Sequence, residues 1–438
     1  MSDFSYPTEL LIAPLTKVPS VTMTVPGSKS ITNRALVLAA LASPDCTVVG
    51  ALRSEDTEVM VDSLCCLGWT VQPDWSKGDV YVGRDQSVEA IEDEDLVPTR
   101  QAQLFVGNSG TTIRFLTALV SLGEGTYRLD GVARMRERPI GDLLDALGQL
   151  GVDAQSEFGN GRPPVVVHAN GLRGGHVRIR ADISSQFLSS LLLVCPFARN
   201  ETLIEVTGPM VSEPYVEMTL SLLRMVDLQI EVVSPGRYRI PGKQRYCGGS
   251  IGVEPDASSA SYFWAAAAVS GGRVTVTGLS RKSVQGDVRF VDVLGQMGCR
   301  VEECEVGITV HGSPLRGVDV DMNDISDTVM TLGAVACFAE GPTTIRNIAH
   351  IRHKETDRIA ALATELRRLG AEVEERPDGL TITPRPLQGC AVDTYNDHRM
   401  AMSLALVGLK VPGVVIRNPG CVAKTYPGFW QDWKGLSG

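Results

Sequence analysis

ALVLAALASPDCTVVG, residues 35–50, is the stretch on which the fold turns: a helical apolar run, a Ser-Pro-Asp turn, then a β-branched run. The pattern returns five more times, as IRFLTALVSLGEGTYRL (113–129), FLSSLLLVCPFARNETLIEV (187–206), SYFWAAAAVSGGRVTVTG (261–278), TVMTLGAVACFAEGPTTIRN (328–347) and HRMAMSLALVGLKVPGVVIRN (398–418). Successive starts lie about 70 to 80 residues apart, which marks duplicated supersecondary units rather than one irregular fold. At least five of these strands are followed by a second helix, in MVDSLCCLGWTVQ (60–72), LDALGQLGVDAQ (144–155), LSLLRMVDLQIEV (220–232), VDVLGQMGCRVEE (291–303) and ATELRRLGAEVEE (363–375). There the leucines keep helical spacing, a glycine usually stands where a helix would end, and an alternating strand comes next. The unit reads βαβαββ, and two groups of three such units predict two similar α/β domains. A crossover is expected in the acidic, small-residue stretch 253–261, and the segment before Pro26 reads as a lone strand that returns to the second domain.

The totals agree with that division. A chain of 438 residues exceeds one ordinary core and suggests two domains of roughly 200 residues. Apolar residues at 43% and charged residues at 21% are globular values. The start, MSDFSYPTEL, lacks a basic region followed by an apolar one, and the apolar stretch 190–197 is far too short to span a bilayer, so a soluble cytoplasmic chain, working as a monomer, is expected. Ten cysteines form no CxxC pair and no Cys/His cluster, which points to reduced thiols and to neither zinc nor a disulfide framework. A net charge of -10 argues against nucleic acid as a partner.

Chemistry is concentrated just ahead of each first helix, in PGSKSITNR, GNSGTTIR, ISSQF, DASSAS, NDISDT and YNDHR. Any one of these is explained by helix capping alone. Six together offer a set of helix N-termini, whose unpaired N–H groups and partial positive charge suit anions. Basic residues gather in the same places or before the second helices: Lys29, Arg34, Arg114, Arg134, Arg136, Arg138, Arg352, Lys354, Arg358, Arg399 and Lys424. In an acidic chain that placement favours small anionic substrates, with guanidinium forks gripping carboxylate or phosphate and lysines able to move a proton. Asp56, Asp327, Glu355, Asp397 and His398 lie among them as candidate proton carriers or charge partners. No phosphate-loop or dinucleotide fingerprint and no hydrolase-type Ser/His/Asp order is present, so no cofactor is expected and catalysis would rest on positioning and electrostatics.

Read as ordered motifs, PGSKSITNR (26–34), LFVGNSGTTIR (104–114), RMRERPIG (134–141), SSQF (184–187), VSEPY (211–215), DASSASYF (256–263), HKETDR (353–358), YNDHRMAM (395–402) and AKTYP (423–427) resemble the 5-enolpyruvylshikimate-3-phosphate synthase family over nearly the whole chain. The resemblance implies the enolpyruvyl transferase fold: two inside-out α/β barrel domains of three units each, 26–253 and 1–25 plus 254–438, with the active site in the cleft between them. It implies phosphoenolpyruvate held by Lys29, Gly110, Arg138, Gln186, Arg358, Arg399 and Lys424. Shikimate 3-phosphate would meet Lys29, Ser30, Arg34, Ser184, Ser185, Gln186, Ser212, Tyr215, Asp327, His350 and Lys354. Addition and elimination through a tetrahedral intermediate would use Glu355 or Asp327 to take the proton of the acceptor 5-hydroxyl, and Lys29 or Lys424 to assist protonation of the methylene and departure of phosphate. The shikimate route to chorismate and the aromatic amino acids is the implied setting, and glyphosate the implied inhibitor. Two positions depart from the family: Phe115, where proline is common, and His350, where Asn or Ser is common.

Two other readings compete. UDP-N-acetylglucosamine enolpyruvyl transferase shares fold and donor, but its family carries a loop cysteine where this chain has Ala133. A clamp-like repeat scaffold would line helix faces with basic residues, whereas here they fall in loops rich in Gly, Ser and Pro.

Overall fold

The computed structural model describes residues 5–84 and 96–437; the opening MSDF, on which part of the expected address rests, lies outside them. The chain divides into two compact units, one of Gly27–Val253 and one of Met1–Pro26 with Glu254–Gly438.

In the first unit the helices are α1 (Lys29–Ala40), α2 (Glu55–Cys66), α3 (Gly110–Leu119), α4 (Gly141–Gln149), α5 (Ser185–Val194) and α6 (Glu213–Met225). Each repeat contributes one four-stranded sheet, with strand orders 249–252, 45–49, 79–84, 69–74; 101–105, 124–130, 165–170, 153–156; and 175–180, 202–207, 237–240, 231–234. The first two strands of every sheet run parallel around a first helix, and the last two close as an antiparallel hairpin. Because α1 opens the unit with no strand of its own before it, Gly249–Gly252 comes back from the far end of the unit and pairs with Asp45–Val49.

The second unit keeps the scheme in two four-stranded sheets and has a third sheet of three strands, with α7 (Ala257–Ser270), α8 (Phe290–Gln296), α9 (Val329–Ala336), α10 (Arg358–Arg368), α11 (His398–Gly408) and α12 (Phe429–Lys434). Here the structure corrects the lone strand expected before Pro26. Two strands lie there: Ser20–Met23 runs parallel to Arg273–Thr277, and Glu9–Leu11 runs antiparallel to Val415–Arg417. Each supplies an edge strand to a different sheet of this unit.

The first helices are apolar nearly all round, and such helices must be enclosed. Every residue of α3 and α11 is buried, and α7 is buried from Ala257 to Val269. Within the first unit α1, α3 and α5 pack on one another, as α7, α9 and α11 do within the second. Strands around them alternate, as in Gly175–Arg180, where Val177 and Ile179 turn inward and the arginines outward. This is the inside-out arrangement: helices within, sheets without. Past the second helices the chain needs a left-handed residue, taken by Gly68 after α2 (φ 95°) and, where no glycine stands, by Asp227 after α6 (φ 58°). The short α12 is docked by rings: Phe429 lies edge-on to Tyr262 at 5.7 Å and to Tyr426 at 5.5 Å.

Candidate functional site

Packing α1, α3 and α5 together brings their N-termini to one end of the first unit, and there the capping sequences carry the candidate residues. Lys29 is the first residue of α1, and its Nζ lies 3.2 Å from Asp56 Oδ2 in the first turn of α2. Both are largely withdrawn from water, which strengthens the attraction between the two charges. Gly110 opens α3 behind its cap Ser109, and the Arg138 guanidinium lies directly over it, with Nη1 donating to the Asn108 carbonyl at 3.1 Å. Ser184 caps α5, accepting from the Gln186 amide at 3.3 Å, with Ser185 buried beside it. The Gln186 carboxamide donates through Nε2 to Thr111 Oγ1 at 3.2 Å and accepts from Arg114 through Oε1. Ser212 caps α6 with left-handed backbone (φ 52°), and Tyr215 follows in its first turn.

Arg34, expected to meet the acceptor, is buried inside the unit. Its Nε donates to Thr219 Oγ1 at 2.7 Å, Nη1 to the Ser30 carbonyl at 2.9 Å, and Nη2 to the Tyr215 carbonyl at 3.1 Å. Burial pushes its pKa down to about 10, which still leaves it charged at neutral pH. The ring of Phe115, the unusual residue of α3, lies 5.1 Å from Arg34 Cζ, a cation–π contact.

In the second unit the acidic and basic candidates form one network. Arg358, first residue of α10, donates from Nε to Asp397 Oδ2 at 2.8 Å, from Nη2 to Glu355 Oε2 at 2.9 Å and from Nη1 to Asp327 Oδ1 at 3.1 Å. Its burial works against the charge, but Asp397, Glu355 and Asp327 outweigh it and hold the guanidinium above its ordinary value. Asp327 also accepts from Arg399 Nη2 at 2.6 Å and lies 3.7 Å from Lys354 Nζ. Lys424 Nζ lies 4.0 Å from Glu355 Oε1. Lys354, Arg358, Arg399 and Lys424 thus meet the carboxylates of Asp327, Glu355 and Asp397, and the buried Asp287, pushed up to about 6 by burial and by Asp327, also feels Arg399. Asp397 also caps α11, accepting from the Arg399 amide at 2.9 Å, which turns that arginine into the network. His350 is buried, and desolvation with Lys354 nearby pushes its pKa down to about 3, so its imidazole is neutral at pH 7.

Not every basic residue singled out in the sequence joins these clusters. Arg134 pairs with Glu137 at 2.6 Å, Arg136 with Asp130 at 2.6 Å, and Arg352 with Asp357 at 2.8 Å; short-range charge pairing accounts for all three. Conversely, Tyr262 had no role assigned from the sequence, yet its buried hydroxyl lies 3.3 Å from Arg399 Nη1. Its position inside DASSASYF was the one available signal, and that motif also reads as plain core. None of the ten cysteines forms a disulfide. Among the described residues no group of three or more His, Cys, Asp or Glu side chains is placed to hold a metal ion, and no helix is long and apolar enough to cross a membrane.

Two units of inside-out α/β repeats, with basic residues at or near the helix starts, match the fold of the enolpyruvyl transferases. A solved EPSP synthase from Acinetobacter baumannii superimposes with a TM-score of 0.79 at 26% identity, covering 97% of this chain and 97% of that one. The profile of the EPSP synthase (3-phosphoshikimate 1-carboxyvinyltransferase) family matches residues 16–433, and the chain belongs to that family. Its curated relatives include the 3-phosphoshikimate 1-carboxyvinyltransferases of Trichormus variabilis, 48% identical over 98% of this chain and 99% of the relative, and of Nostoc punctiforme, 49% identical over 96% and 97%.

Proposed function

We propose that the chain transfers the enolpyruvyl group of phosphoenolpyruvate to the 5-hydroxyl of shikimate 3-phosphate and releases phosphate, the carboxyvinyl transfer for which its relatives are named. The observation that carries the residue assignment is the network around Arg358, which places the candidate acids Glu355 and Asp327 among the cations proposed to hold the substrates. In this reading Lys29, Gly110, Arg138 and Gln186 of the first unit and Arg358, Arg399 and Lys424 of the second hold phosphoenolpyruvate. Lys29, Ser30, Ser184, Ser185, Gln186, Ser212 and Tyr215, with Asp327, His350 and Lys354, attend the phosphorylated acceptor, and the enclosed Arg34 stands behind Ser30 and Tyr215, donating to their carbonyls. The serines offer hydroxyl donors to phosphate, and Asp327 accepts from ring hydroxyls. His350, neutral by burial, can donate or accept without adding charge.

The route is addition followed by elimination. The acceptor oxygen bonds to C2 of phosphoenolpyruvate as Glu355 or Asp327 takes its proton, and Lys29 or Lys424 delivers a proton to the methylene carbon. In the second half the C–O bond to phosphate breaks and the methyl group returns a proton, restoring the double bond. Cations fixed in advance around the developing charge do the electrostatic work, so no cofactor enters. A single chain in the cytoplasm suffices for such a reaction.

The test is phosphate release from phosphoenolpyruvate with shikimate 3-phosphate, repeated with UDP-N-acetylglucosamine and with a chelator. Release with shikimate 3-phosphate alone, unchanged by the chelator, is expected. Release only with the sugar nucleotide, or loss on chelation, sinks the reading.

A further inference from the structure

We propose that Arg114 is a positioning residue that sets which end of the Gln186 carboxamide faces the substrate anion; the proposal rests on the reading of Gln186 as a phosphoenolpyruvate contact. Arg114 lies in the second turn of α3, and only 4% of it is exposed. Contacts with neighbouring groups hold it in place. Nη2 donates to the Pro139 carbonyl at 3.0 Å, the Phe187 ring lies 5.0 Å from Cζ, and Nη1 stands 3.5 Å from Ser184 Oγ. From that place Nη1 donates to Gln186 Oε1 at 2.5 Å.

The chemistry of the pair decides the orientation. A guanidinium has donors only, so the carboxamide atom that faces it must be the oxygen. The opposite end is then the NH2 group, which donates one hydrogen to Thr111 Oγ1 at 3.2 Å. One N–H of Gln186 is left to offer, and Gln186 is only partly buried, at the end of the unit where Lys29 and Gly110 open their helices. Turned over, the amide would show an anion its oxygen and repel it. Arg114 therefore acts on the donor substrate at second hand, by fixing a neighbour as a hydrogen-bond donor.

A double-mutant cycle separates this from a purely structural role. Arg114→Met should lower kcat/KM for phosphoenolpyruvate roughly tenfold, the effect of one charge-assisted hydrogen bond. In the Gln186→Ala background the same change should alter it by less than about twofold, because the amide through which it acts is gone. Equal losses in both backgrounds overturn the proposal. If Gln186→Ala alone leaves kcat/KM unchanged, the reading of Gln186 falls first and the proposal with it, which distinguishes the two failures. Should Arg114→Met not fold, Arg114→Gln, whose own carboxamide can present either a donor or an acceptor to Gln186 and so no longer sets its orientation, replaces it, and the cycle is run with it under the same two criteria.

Discussion

Gly110 lies so close beneath Arg138 that a Cβ built on the glycine would stand 2.3 Å from Arg138 Nη2 and 2.6 Å from its Cζ. The missing side chain at the start of α3 is what lets the guanidinium rest on the helix N-terminus. Gly110→Ala should leave the fold nearly unchanged, because α3 backbone suits alanine and the end of a flexible arginine can give way. The displaced Arg138 should raise KM for phosphoenolpyruvate roughly tenfold, with KM for shikimate 3-phosphate changed less. Steady-state kinetics beside a thermal melt decides it, and an unaltered KM counts against Arg138 as a ligand.

Lys29 lies 3.2 Å from the buried Asp56 carboxylate, so removing Asp56 takes a counter-charge from the lysine. Lys29→Met should reduce kcat by about 10²- to 10⁴-fold if the amine moves a proton. Asp56→Asn should lower stability in urea by roughly 3 kcal/mol, the cost of an uncompensated buried charge. Turnover by Lys29→Met at the wild-type rate would remove Lys29 from the chemistry.

Asp327 joins Arg358, Arg399 and Lys354. Asp327→Asn leaves those cations short of a counter-charge, so inorganic phosphate should raise the melting temperature of this variant by more than it raises that of the wild type. Its kcat should fall by about 10²- to 10⁴-fold. Glu355→Gln, measured in parallel, tells which acid carries the larger share.

His350 has a folded-state pKa near 3 against an ordinary 6.5. The unfolded chain binds the proton first as pH falls, so its contribution to stability is complete above about pH 6.5 and lost as pH drops toward 3. His350→Asn should flatten the stability curve across that window, removing a slope of at most roughly 1.4 kcal/mol for each step of one in pH. Identical slopes for the two proteins in urea melts between pH 6.5 and about 4 would contradict a buried neutral imidazole.

Phe115 supplies the ring beneath Arg34. Phe115→Leu keeps an apolar side chain but removes the π face, and should cost about 1 to 2 kcal/mol of stability. Phe115→Pro should also shift inhibition by glyphosate, since α3 carries Gly110 at its start; equal inhibition of wild type and variant argues the other way.

Much of this was open to reading along the chain. Stretches such as 261–278 and 398–418 are apolar on every helical face, so burial was the one stable outcome for α7 and α11. Caps such as Asp256 and Asp397 stood where their helices begin. The strands Ser20–Met23 and Glu9–Leu11 were not separable, because three or four residues between prolines and polar groups carry no period and their partners lie hundreds of residues away.

Local pattern thus determined the repeat, the helix starts and the residue types gathered there, since those depend on neighbours within a few positions. Tertiary structure alone decided that Arg358 should bind Asp327, Glu355 and Asp397 together, that Arg34 should be enclosed, and that Arg114 should face the oxygen of Gln186. Coulombic and hydrogen-bond energies depend on distances of a few ångström, and for residues tens of positions apart only the packing of the helices sets those distances.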